Sequence, residues 1–206
     1  MPLKVCVKKS KLSYFRDRSS KLSHNILIDL KKLTTKEILQ ENLSRTAPGY
    51  LRSLKILIPN VRSLHNVGSI FRSADAFGIS EIILTGITPA PPRPEINKTA
   101  IGAEEFVDWR YEEDSLKAVD ELKKEGYYLI GLEQTNDSTE LPDFEADTHP
   151  KMCIVLGSEV AGIDEELLPY IDEFVAIPQF GKKHSLNVSV AAGVILYAML
   201  EKLWKS

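Results

Sequence analysis

The sequence predicts an α/β fold: a mainly parallel sheet covered by helices on both faces. Three observations carry that expectation. Short apolar runs recur from residue 54 onward: "LKILIPNV" (54–61), "EIILTG" (81–86), "YYLIGLEQ" (127–134), "KMCIVLG" (151–157) and "EFVAIP" (173–178). Runs of this length and composition read as buried strands. Helical patterns fall between several of them, and strand–helix alternation implies parallel pairing. Finally, the last segment, residues 187–204, is apolar at 188, 191, 192, 195, 196, 199, 200 and 203, with Val190, Val194 and Tyr197 on a different face. A helix apolar most of the way round must be covered on more than one side. One side can pack on the sheet; the other needs a second partner.

The elements follow in order. Residues 1–25 show no periodicity. In "TTKEILQENLSR" (34–45) a Thr cap is followed by Glu, with Ile38 and Leu39 behind it, the pattern of a short helix. "TAPGY" breaks it. "NVGSIFRSADAFG" (66–78) places Val67, Ile70, Phe71, Ala74 and Phe77 on one helical face, with Asn66 a candidate cap and Gly78 suited to the stop. The four prolines of "ITPAPPRPEINK" (87–98) predict a loop. "EEFVDWRY" (104–111) reads as a short strand, "EEDSLKAVDELKKEG" (112–126) as a surface helix, and "DEELLPY" (164–170) as a short helix.

Composition narrows the classes. No apolar run approaches the ~20 residues of a membrane helix, and the N-terminus has no apolar signal core. Cys6 and Cys153 make no disulfide framework; Cys153 lies in an apolar run and reads as a buried core thiol, which suits a reducing, cytoplasmic setting. The formal charge of −3 hides a division. Residues 1–55 hold 13 Lys and Arg against 4 Asp and Glu, whereas residues 56–206 hold 13 against 25. A basic N-terminal arm (1–53), preferred over a transit-like leader, therefore precedes a globular domain (54–206). Such an arm fits a polyanion, although a solvated tail has the same composition.

Three segments join a strand end to glycines and polar residues. "NVRSLHNVGSIFRSAD" holds Asn66 and Arg72, six apart, not quite two turns, so they need not share a helical face. Each read alone is a cap or an exposed charge. "VLGSEVAGI" places Leu156, Gly157, Ser158 and Glu159 after a strand, with Gly162 beyond. Glycines there permit close backbone approach to a ligand in an open α/β sheet. It is no nucleotide phosphate loop, lacking both GxGxxG and Gly-Lys-Ser/Thr. "IPQFGKKHSLN" leads from the last strand through Ile177 to Ser185, Leu186 and Asn187 at a helix start, where free N–H groups suit an anion and either polar residue can cap. The four His are scattered and neither Cys has a CxxC partner, so no metal site is expected.

Together and in this order, "NVRSLHNVGSIFRSADAFG", "IVLGSEVAGI" and "IPQFGKKHSLNVSVAAGVILY" resemble the SPOUT superfamily of methyltransferases, in its SpoU (TrmH) branch. The resemblance spans residues 55–204. It implies a C-terminal deep trefoil knot, S-adenosylmethionine as cofactor, transfer of methyl to a ribose 2′-hydroxyl of tRNA or rRNA, and a homodimer joined through helix 187–204. Carried over by position, Leu156, Gly157, Ile177 and Leu186 would contact the cofactor. Asn66, Arg72, Glu159, Ser185 and Asn187 would form the catalytic set. The resemblance gives Arg72 the role of base, but a guanidinium is very hard to deprotonate, so gripping a phosphate and stabilising the developing alkoxide suit it better. Where some relatives carry a compact RNA-binding domain, this chain has the basic arm, with Tyr14, Phe15 and Tyr50 available to stack on bases. A catalytically silent RNA-binding factor, a base methyltransferase and a small-molecule-binding protein are the competing readings.

Overall fold

The computed structural model describes residues 31–45 and 53–204. Most of the basic arm, including Tyr14, Phe15 and Tyr50, lies outside the described residues, as does Cys6. The chain divides into two units, residues 1–45 and 46–206. In the first, helix α1 (Thr35–Ser44) starts at a full capping box. The Glu37 N–H donates to the Thr34 hydroxyl at 3.3 Å, and the Thr34 N–H donates back to the Glu37 carboxylate at 2.7 Å.

The second unit is built on seven strands, β1 (Leu54–Pro59), β2 (Glu81–Thr85), β3 (Trp109–Glu112), β4 (Tyr128–Leu132), β5 (Thr139–Glu140), β6 (Met152–Val155) and β7 (Glu173–Ala176). Their order is β3-β2-β1-β6-β4-β7-β5, and every pairing is parallel. The expected strands are all present. β5 was not expected, because two residues carry no periodicity to read.

Alternation along the strands sends side chains to two cores, as period-2 geometry requires. Ile56 and Ile58 of β1 and Ile154 of β6 join the larger core, which α2 (Leu64–Phe77) and α5 (Val188–Trp204) cover. Leu57, Cys153 and Val155 face the other side, against Ala118, Val119 and Leu122 of α4 (Ser115–Lys124). Both faces are thus covered. Cys153 is fully buried, and desolvation holds its thiol above the usual pKa range, as its apolar run foretold.

Four expectations are corrected. The Pro-rich stretch is not loop throughout: α3 spans Pro94–Ala100, with Pro94 in the first turn, where a missing N–H costs nothing. Helix α2 begins two residues before Asn66; Ser63 is its cap, its hydroxyl accepting from the Asn66 N–H at 3.3 Å. "DEELLPY" yields only a 3₁₀ turn at Leu168–Tyr170, and "EEFVDWRY" splits into a 3₁₀ turn (Ala103–Glu105) and then β3. Among the described residues, no helix is long and apolar enough to cross a membrane.

Ion pairs gather at the N-terminal edge of the sheet. Lys55 lies 2.7 Å from Glu81 and 3.2 Å from Glu125, and Arg110 joins Glu81 to Glu121. Burial alone would lower the Lys55 pKa, but its two carboxylate partners raise it well above the ordinary ammonium value. The carboxyl edge is left for other work.

Helix α3 is seated on α2 through Gly68. A Cβ at that position would fall 2.2 Å from the Thr99 hydroxyl and 2.3 Å from the Ile96 carbonyl oxygen. The Thr99 hydroxyl in turn donates to the His65 carbonyl at 3.1 Å. Since a backbone atom cannot yield as a side chain can, Gly68→Ala should lower stability by about 2 kcal/mol or more. Urea unfolding of the variant would show it as a lower midpoint at unchanged slope.

Candidate active site

Parallel strands align their carboxyl ends, so the loops leaving β4, β6 and β7 emerge side by side, and ligands of open α/β sheets bind there. A cleft of about 440 Å³ opens at this edge. Its wall includes Leu132, Glu133 and Gln134 after β4, Leu156 to Val160 and Gly162 after β6, Ala176 and Ile177 after β7, and Ser185 to Val188 at the start of α5. All four residues expected to contact a cofactor, Leu156, Gly157, Ile177 and Leu186, line it. So do Glu159, Ser185 and Asn187.

The glycines after β6 serve the chain's own close approach. Ser158 and Gly162 pair as an isolated antiparallel bridge, their N–H groups donating at 2.7 and 3.2 Å. A Cβ on Gly157 would sit 2.6 Å from the Gly162 carbonyl carbon. Gly162, at φ +70, would place a Cβ 2.1 Å from a Glu133 carboxylate oxygen. Glu133 accepts from the Ile163 N–H at 3.2 Å and the Gln134 N–H at 2.9 Å, so it braces the β4 and β6 loops together. Glu133 and Gln134 were missed at the sequence level. Their position at the end of "YYLIGLEQ" was the available signal.

One carboxylate collects the rim. The Arg62 and Ser63 N–H groups each donate to Glu159 at 3.1 Å, and the Asn66 amide donates to it at 2.9 Å. Asn187 donates through Nδ2 to the Asn66 Oδ1 at 3.1 Å. Its own Oδ1 caps α5, accepting from the Ser189 N–H at 2.9 Å, the Ser189 hydroxyl at 2.6 Å and the Val190 N–H at 3.4 Å. Asn66 sits not at the cap but at the third residue of α2, so its side chain is free to bridge two loops. Partial burial pushes the Glu159 pKa up. The hydrogen bonds from Asn66 and from backbone N–H groups outweigh it and hold the carboxyl below its ordinary value.

Arg72 stands apart. It is exposed and does not line this cleft; it borders a second concavity with Ser69, Ser73 and Lys98. Six residues from Asn66 correspond to a rise of about 9 Å along the helix. Among the described residues Glu159 makes no hydrogen bond or ion pair to it; its partners are the α2 approach and Asn66.

An all-parallel sheet with its cleft at the carboxyl edge, rimmed by a carboxylate and two interlocked carboxamides, defines an α/β protein with a single-edge binding site. The family model described as the SpoU rRNA Methylase family matches residues 53–197, and the chain belongs to that family. A Staphylococcus aureus (strain MSSA476) protein named for the TrmH family of tRNA/rRNA methyltransferases is 33% identical over 150 residues. That alignment covers 73% of this chain and 59% of the relative, so the chain spans little more than half the relative's length. Among solved structures, the AdoMet-bound rRNA methyltransferase from Sinorhizobium meliloti superposes with a TM-score of 0.67 at 25% identity, over 75% of this chain and 60% of that one. The A. aeolicus TrmH/SpoU tRNA modifying enzyme has the same fold, with a TM-score of 0.67 at 24% identity, over 82% of this chain and 85% of that one.

Because the folded-state pKa of Glu159 is depressed, its ionised form stabilises the rim above the ordinary carboxyl pKa of 4.5, and that contribution is lost as pH falls through the folded value. Glu159→Gln should therefore melt below wild type at pH 7, with a smaller gap at an acid pH well below 4.5. An equal gap at both pH values would remove the ionised carboxylate from this role.

Proposed function

We propose that this chain transfers a methyl group from S-adenosylmethionine to a ribose 2′-hydroxyl of tRNA or rRNA, in a cytoplasmic setting. The observation that carries the reading is the cleft itself. Leu156, Gly157, Ile177 and Leu186 wall it while Glu159, Asn66 and Asn187 lock its rim. Its volume lies within the range of small-ligand sites. Apolar side chains beside strand-end backbone groups suit a nucleoside flanked by an amino acid, and the carboxylates of Glu133 and Glu159 suit a cationic ligand. When bound, the cofactor supplies a methyl group on a positively charged sulfur.

The chain's own part is placement. Displacement at carbon needs oxygen, methyl and leaving group in line, so holding the ribose still is most of the task. Ser185, with Asn187 and Asn66, positions the ribose at the rim. Glu159 orients the α2 approach. Arg72 grips the neighbouring phosphate and stabilises negative charge developing on the 2′ oxygen. The C-terminal deep trefoil knot belongs to this proposal, with the segment between β7 and α5 as the threaded part. So do the basic arm, residues 1–53, as an RNA-binding extension, and a homodimer.

The homodimer is supported by α5. Ala192, Ile195, Leu196, Met199 and Leu203 are buried against the sheet side. Val190, Val194, Tyr197 and Trp204 remain exposed as a second apolar stripe, with Tyr197 edge-on to Phe77. A second copy of the helix would cover it. Val194→Arg should halve the mass seen in sedimentation if this is the interface; an unchanged mass would discard it.

The reaction is tested with tritiated S-adenosylmethionine and separate pools of unmodified tRNA and rRNA, followed by nucleoside analysis. Label in 2′-O-methylated nucleosides from one pool is expected. Label in bases would favour a base methyltransferase, and none in either pool with no cofactor binding would favour a silent RNA-binding factor. Arg72→Ala should reduce turnover by a factor of about 100 or more with cofactor binding nearly intact. Substantial turnover in that variant would sink its assignment.

A further inference from the structure

Arg72 does not face its concavity alone. The hollow holds about 510 Å³ and is bordered by Arg72, Ser69 and Ser73 of α2 and by Lys98, Thr99 and Ile101 of α3 and its C-terminal cap. Lys98 comes from the stretch that sequence reading assigned to a proline-rich loop, and only the folding of 94–100 as a helix brings it here. Its place is set firmly: the next residue, Thr99, donates to the His65 carbonyl at 3.1 Å, and Gly68 lets the two helices touch at that point. Both cations are exposed, and neither forms an ion pair or hydrogen bond among the described residues. The three hydroxyls donate to backbone carbonyls, Ser69 to His65, Ser73 to Ser69, and Thr99 to His65 and Ile96, so the charge of the hollow rests on Arg72 and Lys98.

Two like charges held on one concave wall repel each other, and no ion pair among the described residues offsets that repulsion. An anion between them does. A planar guanidinium grips phosphate oxygens through paired N–H groups, whereas an ammonium acts as a point charge. We propose that Lys98 is a substrate-binding residue that, with Arg72, holds one backbone phosphate of the RNA beside the nucleotide to be methylated. α3 is then the element that sets the RNA's register against the cleft. The identity of the anion as RNA rests on the proposed methyltransferase reading.

The test uses the full chain and two readouts, steady-state methylation and RNA binding as a function of salt. Lys98→Ala should raise KM for RNA roughly tenfold, the worth of one charge-assisted hydrogen bond, with kcat within about twofold and cofactor affinity unchanged. The slope of log affinity for RNA against log salt should become shallower by about one, as for one lost phosphate contact. Lys98→Arg should restore most of the affinity, and Lys98→Glu should weaken it beyond the alanine variant. Unchanged KM and salt slope in both the alanine and glutamate variants would overturn the proposal. If wild-type protein methylates neither pool but Lys98→Ala still makes the salt slope shallower, the phosphate site stands and the failure falls on the methyl-transfer reading.

Discussion

Glu159 is the group on which the rest of the site depends. The approach to α2 presents backbone N–H groups that no helical carbonyl can reach, and the helix dipole adds positive potential at the same place. A carboxylate from the loop after β6 answers both needs. It accepts from Arg62 and Ser63, then extends the junction to the Asn66 amide. Segments more than ninety residues apart in the chain are held as one rim. Were this group neutral and withdrawn, the first turn of α2 and the β6 loop would have no direct polar link, and the cleft would lose one wall's register.

The parallel sheet makes that junction possible and also divides labour between its edges. Parallel strands put every amino end on one edge and every carboxyl end on the other. At the amino edge, Lys55, Glu81, Arg110, Glu121 and Glu125 form a linked set of ion pairs that is closed upon itself. At the carboxyl edge, Glu133 braces loops while Glu159, Ser185 and Asn187 line the cleft. The edge with its charges mutually satisfied serves stability, and the edge with exposed capacity serves binding.

This division explains what was legible in the sequence. Buried strands announce themselves because continuous apolar runs have few other uses, and the two-faced apolarity of residues 188–204 asks for two coverings, of which the sheet side supplies one. The residues walling the cleft were legible through the glycines after β6 and the polar residues before α5. The misses have physical causes. Two-residue β5 is too short to carry a period. Four prolines spoke for loop, yet the last of them stands where a helix accepts proline, so α3 was hidden by the residue that starts it. Asn66 reads as a cap by type, but Ser63 holds that role three residues earlier. Arg72 and Lys98 are separated by a strand and a loop, and only the close crossing at Gly68 puts them in one hollow.

Asn187 shows why capping and site-building were never true alternatives. A cap needs only an acceptor, and Ser, Thr or Asp would satisfy Ser189 and Val190 as well as Asn does. What Asn retains after capping is a donor, the Nδ2 group. Whether that donor has a partner depends on Asn66, whose amide can present either end. Glu159 decides the matter: an ionised carboxylate accepts only, so Asn66 must turn its NH₂ toward Glu159 and its oxygen toward Asn187. The order of constraint therefore runs from a single negative charge, through one amide orientation, to the residue type required at the start of α5. Asp at position 187 would still cap the helix, but it would set its oxygen against the Asn66 oxygen and open the rim at the place where the cleft and the helix meet.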